Sequence, residues 1–171
     1  MDGSIRTIAE LMEISAITAP KAGGKNYITT KLIEGAELQQ LGAEMIKYGE
    51  ENNIPHFVRD GNNVKNSALL LLIGLRDHPS IGLNCGACGY GCPERKSEAK
   101  EPFNGPNCII RALDLGIALG SAVKMASILN VDNRIMYRAG AIAKKMKLMA
   151  DANIVIGIPL SATGKSIYFD R

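Results

Sequence analysis

The sequence predicts a three-layer α/β or α+β domain, with helices packed on a mixed sheet and a cysteine-rich loop inserted between a central strand and a long helix. Residues 68–75, ALLLLIGL, are a short apolar run without alternation, the pattern of a strand buried on both faces. Residues 153–158 repeat that pattern late in the chain. Segments with apolar residues at three- and four-residue spacing flank both runs, and such helices are what a doubly buried strand needs on either side.

The elements follow in order. Ile5, Ile8, Met12 and Ala16 mark an amphipathic helix capped near Ser4 and running to about Thr18, where the turn-rich TAPKAGGKN stops it. Residues 27–33 alternate β-branched and polar side chains as a half-buried strand does, and Gly35 breaks it. Leu38, Leu41, Met45 and Tyr48 share one face of a second helix, closed by Asn52, Asn53 and Pro55. Residues 56–60 are expected as a short strand and 62–67 as a turn or short helix leading into the buried run. After Cys108 a helix extends to about Asn130. Its small residues form two rows, Ala112, Gly116, Gly120 and Ala118, Ala122, Ala126, which invite a close neighbour: the core, a second subunit or a flat cofactor. Asp132 and Asn133 are expected to cap a further helix over 134–149, and the tail SIYFDR reads as strand-like.

Length and composition bound the function. The chain has 171 residues, enough for one domain, 1–171, with a continuous core that does not need a metal merely to fold. Hydrophobic residues make up 46% and charged residues 22%, ordinary values for a globular protein. The formal net charge of +3 would fall to near neutrality if four thiolates bound a metal core of charge about 2+, so nucleic-acid binding gains no support. The first residues, MDGSIRTIAELM, lack a basic segment followed by an apolar one, and no run reaches the ~18 apolar residues of a membrane span, so a cytoplasmic protein is expected.

The stretch 84–108, NCGACGYGCPERKSEAKEPFNGPNC, contains every cysteine of the chain. Cys85, Cys88 and Cys92 sit in a glycine-rich turn and Cys108 follows at a distance. A bulky iron–sulfur cluster asks for that arrangement: a compact loop covers one side and a remote thiolate closes the other. Gly86, Gly89 and Gly91 alternate with the thiols and permit close backbone approach, so that peptide N–H groups can face cluster sulfur. Asn104-Gly105-Pro106-Asn107 before a long apolar segment places Cys108 in the first helical turn, where the dipole favours a thiolate. Arg95, Lys96, Lys100 and Arg111 add positive charge, offset by Glu94, Glu98 and Glu101, and such runs ordinarily form a solvated rim.

A 4Fe-4S cluster on Cys85, Cys88, Cys92 and Cys108 is the leading reading, and two others stay open. Zinc accepts four thiolates, but its usual sites pair two Cys-x-x-Cys knuckles where this chain has one. Disulfides or a thiol redox pair are the third reading, disfavoured in a cytosolic setting. His78, seven residues before Cys85, reads as a loop residue, since four thiols already complete a ligand set. Thr163-Gly164-Lys165-Ser166 mimics the end of a phosphate-binding loop, but Pro159 stands where that motif needs its first glycine.

With NCGACGYGC, TAPKAGG near the start and IGIPLSATGKSIYFDR at the end, the chain resembles the uncharacterised family of small ferredoxin-domain proteins of anaerobic bacteria and archaea, over nearly its whole length. That resemblance implies an iron–sulfur site on the same four cysteines. The scaffold is similar to the nitroreductase fold in its Ala19-Pro20 turn after the first helix, its small-residue helix, and its strand over 154–159 followed by Gly164-Lys165. Nitroreductases are flavoprotein dimers, so this likeness implies a homodimer and raises FMN as a cofactor. Only Arg6 remains of the arginine-rich phosphate-binding segment, and Lys21 stands where a serine is expected. Only Arg6, Lys21, Lys25 and Lys165 could converge on an FMN phosphate, so tight FMN binding is not expected. The expected role is one-electron transfer or redox sensing with a partner the sequence does not name. The alternatives are an oxidoreductase in which the cluster feeds FMN and a zinc-stabilised interaction module.

Overall fold

The computed structural model describes residues 2–169, and its elements in chain order are α1 (Asp2–Thr18), a 3-10 turn (Ala22–Gly24), β1 (Ile28–Glu34), α2 (Gly35–Glu51), α3 (Pro55–Lys65), β2 (Leu69–Arg76), α4 (Ile109–Ile128), β3 (Asp132–Asn133), α5 (Tyr137–Lys145) and β4 (Ala152–Ser161). The sheet has the order β1-β2-β4-β3. Its strand pairs are all antiparallel, so the α+β form is realised and the expected mixed sheet is not. α1 begins two residues ahead of the expected Ser4 cap.

β2 runs through the middle. Leu69, Leu71, Ile73 and Leu75 face a core shared with α1 and α4, while Leu70 and Leu72 face a second core under α2, α3 and α5. Because side chains alternate across a strand, an apolar residue at nearly every position is what two covered faces require. α1 meets this core through Ile5, Ala9, Met12 and Ala16, and α4 through Leu115, Ala118, Ala122 and Ala126. One small-residue row of α4 is therefore core. Gly116 and Gly120 have no neighbouring atom within 4 Å of where a side chain would begin, so the other row faces outward.

Three expected elements differ. Residues 56–60 lie within helix α3, not in a strand. Pro55 starts that helix, and Phe57, Asp60, Gly61 and Val64 then fall on its buried face. Asp132 and Asn133 do not cap a helix: they pair with Ser161 and Leu160 as β3, because the free edge of β4 needs partners. The helix expected over 134–149 is accordingly the shorter α5. Residues 162–169 form no strand, since β4 is already paired on both sides. Tyr168 instead enters the second core and its hydroxyl shares a 2.8 Å hydrogen bond with Ser67. Asp170 and Arg171 lie outside the described residues. The phosphate-loop lookalike at 163–166 is followed by no helix among the described residues.

Candidate metal centre

β2 ends at Arg76 and the cysteine stretch begins soon after, so the strand delivers the loop and α4 receives it. Gly86 and Gly89, at φ +68° and +83°, bracket Cys88 in a tight turn closed by the Gly89 N–H to Gly86 carbonyl bond of 2.8 Å. Both backbones sit where a side chain would be strained. Asn84, at φ +46°, pairs across the turn with Cys92: its N–H donates to Cys92 Sγ at 3.1 Å, and its Oδ1 accepts the Cys92 N–H at 3.0 Å. Cys85 is exposed, and Cys88 and Cys92 are half-buried. None of the four is paired in a disulfide in this structure.

Cys108 is different. It is the N-cap of α4, one residue ahead of the expected first turn, with Pro106 in the loop before it, and is only 4% exposed. Burial by itself raises its thiol pKa, but backbone N–H groups of Ile81, Arg111 and Ile110 and the charge of Arg95 outweigh that and leave the pKa lowered. The Cys108 N–H donates to His78 Nε2 at 3.2 Å, while His78 Nδ1 lies 2.9 Å from the Arg76 carbonyl. A carbonyl only accepts, so Nδ1 carries the proton and Nε2 is the bare acceptor. Burial holds the His78 pKa below its usual value. Both ring nitrogens are thus engaged with backbone, in keeping with a loop residue and not a metal ligand.

Two arginines expected on a solvated rim are buried. Arg95 joins three parts of the loop: Nη2 donates to the His78 carbonyl at 2.5 Å, Nε to Ser80 Oγ at 2.8 Å and Nη1 to the Pro106 carbonyl at 2.9 Å. Arg111 pairs with Asp114 at 3.0 Å and donates to the Ala22 carbonyl at 2.7 Å, under the Tyr27 ring. Among the described residues, its Nε is the buried side-chain polar atom left without a hydrogen-bond partner. Lys96, Lys100, Glu94, Glu98 and Glu101 do form an exposed rim.

Asn153, at the start of β4, is the hub that sequence reasoning missed. Its amide nitrogen lies within 3.1–3.2 Å of Asp77 Oδ1, Ser97 Oγ and Asn107 Oδ1, and its carbonyl oxygen accepts the Asn104 N–H at 3.0 Å. A buried asparagine at the head of an apolar strand was the available signal. The Arg95 clamp left a fainter one, a single arginine inside a mixed-charge run.

No three His, Cys, Asp or Glu side chains converge to hold a metal ion among the described residues. The scaffold brings a prepared Cys108 to the mouth of a loop that carries the other three thiols, but it does not gather all four. Metal binding is coupled to the folding of the segment that supplies the ligands, so a loop of this kind would complete its site only with the metal bound. Four thiols, the Asn84 N–H on Cys92 Sγ and the buried charge of Arg95 near Cys108 are a donor set that fits an iron–sulfur cluster. Of the four cations considered for an FMN phosphate, Arg6 is paired with Glu10 and Glu34, and Lys21 Nζ donates to the carbonyls of Ala16, Ile17 and Ala19.

Fold and loop together define a nitroreductase-fold domain with a cysteine-bearing insertion. Nitroreductase A from Vibrio parahaemolyticus is similar at a TM-score of 0.58 and 12% identity, over 94% of this chain and 60% of that one. A putative nitroreductase in complex with FMN from Desulfovibrio desulfuricans matches at 0.58 and 13%, over 96% and 78%. The chain thus spans about three fifths of the length of the former enzyme, and the likeness is one of fold. An uncharacterized protein of Archaeoglobus fulgidus is 46% identical over 170 residues, 98% of this chain and 91% of its own length. The model of the family "Uncharacterized protein containing a ferredoxin domain (DUF2148)" matches residues 104–171, which include Cys108. The chain belongs to that ferredoxin-domain family. No helix among the described residues is long and apolar enough to cross a membrane.

Proposed function

We propose that this protein is a cytoplasmic redox protein that carries a 4Fe-4S cluster on Cys85, Cys88, Cys92 and Cys108 and acts in one-electron transfer or redox sensing. The observation that supports it is the placement of Cys108, buried at the head of α4 at the end of the loop that carries the other three thiols. A 4Fe-4S cluster supplies one-electron chemistry at a potential set by hydrogen bonds to sulfur and by exposure. This chain would contribute the donors at Cys108 and Cys92 and the exposed side near Cys85, through which an electron partner could approach. Protein purified without oxygen should be brown, contain about four irons per chain and bleach on reduction. One zinc and no iron, from cells supplied with iron, would establish the interaction module instead.

A second reading is a flavin-dependent reductase fed by the cluster, favoured by the FMN bound in a structure of the same fold. Titration of cluster-loaded protein with FMN decides it: saturable low-micromolar binding, weakened by Lys165→Ala, would promote the enzyme. A homodimer belongs to either reading. Leu113 and Ile117 of α4 are 55% and 45% exposed, on a helix where Gly116 and Gly120 leave open space for a second backbone, and α1 beside it exposes Ile14 at 58%. Light scattering at micromolar concentration should give twice the chain mass, and Gly120→Leu should return the monomer.

A further inference from the structure

We propose that the cleft between α5 and the 99–104 segment of the cysteine loop binds a nucleoside diphosphate, with its base in an aromatic pocket and its phosphates among four lysines. The pocket, of 580 Å³, is lined by Tyr48, Ile54, Phe57, Tyr137 and Ile142 and opens on Lys145. The adjoining cleft, of 720 Å³, is lined by Lys100, Lys144, Lys145 and Lys147, with Glu101 the acidic group among its lining residues. Glu101, Pro102 and Lys145 border both, so the two are continuous. Each lies within the range of about 300–1,000 Å³ typical of small-molecule sites.

The chemistry divides along the cleft. Tyr48 and Phe57 pack on each other at 4.8 Å and wall the pocket, while Tyr137, half exposed and edge-on to Phe103 at 5.5 Å, offers the ring face on which a base can stack. Lys145 Nζ lies 4.9 Å from the Tyr48 centroid, at the junction of the apolar and basic halves. Four lysines against one glutamate leave a surplus of three positive charges, which matches the about three negative charges of a diphosphate at neutral pH. Lys144 and Lys145 fall in the last turn of α5, where cations offset the helix dipole without any ligand. Lys100 and Lys147 have no such reason to be there.

Lys147 carries the argument further. It follows the α5 C-cap at φ +59°, its N–H donating to the Lys144 carbonyl at 2.9 Å. Glycine is the usual residue at this left-handed position, because any side chain there is strained. A lysine held in that conformation places a further cation in a cleft where the others already repel it, an arrangement that an anion would relieve. An acidic protein surface would meet the lysines but leave the aromatic pocket empty, so a compact ligand with both a ring and phosphates fits better. Its wall, 99–104, continues through the Asn104 and Asn153 contact toward Cys108, placing the nucleotide beside the redox loop.

ADP is the probe, titrated by calorimetry into the full chain at low salt. One saturable site per chain is expected, with adenosine and pyrophosphate each binding at least about tenfold more weakly, since each makes only half of the contacts. Lys147→Gly relieves the strained backbone, so it should raise the melting temperature while weakening ADP about tenfold. Tyr137→Ala should weaken ADP by a similar factor through lost stacking, with circular dichroism showing the fold intact. The proposal is overturned if ADP does not bind, if Lys147→Gly gains stability with ADP affinity unchanged, or if pyrophosphate binds as tightly as ADP. Poly-glutamate that binds where ADP does not would likewise overturn it and assign the lysines to an acidic partner.

Discussion

Cys108 and Cys85 occupy opposite ends of one loop and opposite physical situations. The first is buried and sits at a helix head, where nearby backbone N–H groups and the charge of Arg95 lower its thiol pKa. The second is exposed on a glycine turn held chiefly by the Asn84 and Cys92 pair. In the proposed cluster site, Cys108 would be a ligand positioned in advance, and the three thiols of the loop would take their places as the cluster binds. On that proposal the buried end would supply hydrogen-bond donors to sulfur, and the exposed end would face an electron partner.

The largest test of that contrast is to remove each thiol in turn. Cys108→Ala should abolish most iron binding in anaerobically reconstituted protein, with the helical circular dichroism retained. Cys85→Ala, at the exposed end where solvent can take a ligand's place, should keep more of it. Equal losses of iron would show that burial gives Cys108 no special weight, and an unchanged iron content in Cys108→Ala would remove it from the ligand set.

Next in size is Arg95→Ala, which cuts the tie between the end of β2, Ser80 and the Pro106 carbonyl. Three charge-assisted bonds made by a buried guanidinium are worth about 3 kcal/mol in sum after relaxation. A fall in urea midpoint at unchanged m-value should report it. Asn153→Ala unpins the same loop from β4 by removing two neutral bonds and one to the Asp77 carboxylate, so about 2 kcal/mol is expected from the same measurement. A loss in Asn153→Ala larger than that in Arg95→Ala would place the anchor in the sheet and not in the clamp.

The smallest effect lies outside the cysteine loop and serves as its contrast. Burial raises the Tyr168 pKa well above the ordinary tyrosine value. Folded protein therefore keeps the phenolic proton where unfolded chain releases it, so this group's contribution is complete below the unfolded pKa of about 10 and is lost as the pH rises beyond it. Urea midpoints should fall above pH 10 and fall less steeply in Tyr168→Phe. That variant should lose about 1 kcal/mol at neutral pH with the Ser67 bond, and its iron content should match the parent.

How much of this was legible depended on whether the signal was local. The apolar run that became β2 could be read directly, because a strand covered on both faces needs an apolar residue at nearly every position. The periodicity of α1 and α2 was equally plain. In α3, Phe57 and Val58 suggest a strand locally, but Pro55 and the spacing of Phe57, Gly61 and Val64 favour a helix, which the close approach of Gly61 to Gly42 of α2 then fixes. The β3 residues Asp132 and Asn133 read as a cap because their partners Ser161 and Leu160 lie far along the chain.

By itself the sequence determined the layered arrangement of helices on a sheet, the four thiols with their spacing, and the segment that carries them, because hydrophobic period and thiol spacing are properties of neighbours along the chain. Only the tertiary structure decided which thiol is buried, that His78 and Arg95 turn inward, that Asn153 gathers the loop, that one row of α4 faces the core while Gly116 and Gly120 face out, and that four lysines share a cleft with three aromatic rings. Those outcomes depend on which distant groups arrive to satisfy a buried donor, an acceptor or a charge, and a polar residue does not reveal its partner until the chain has brought the two together.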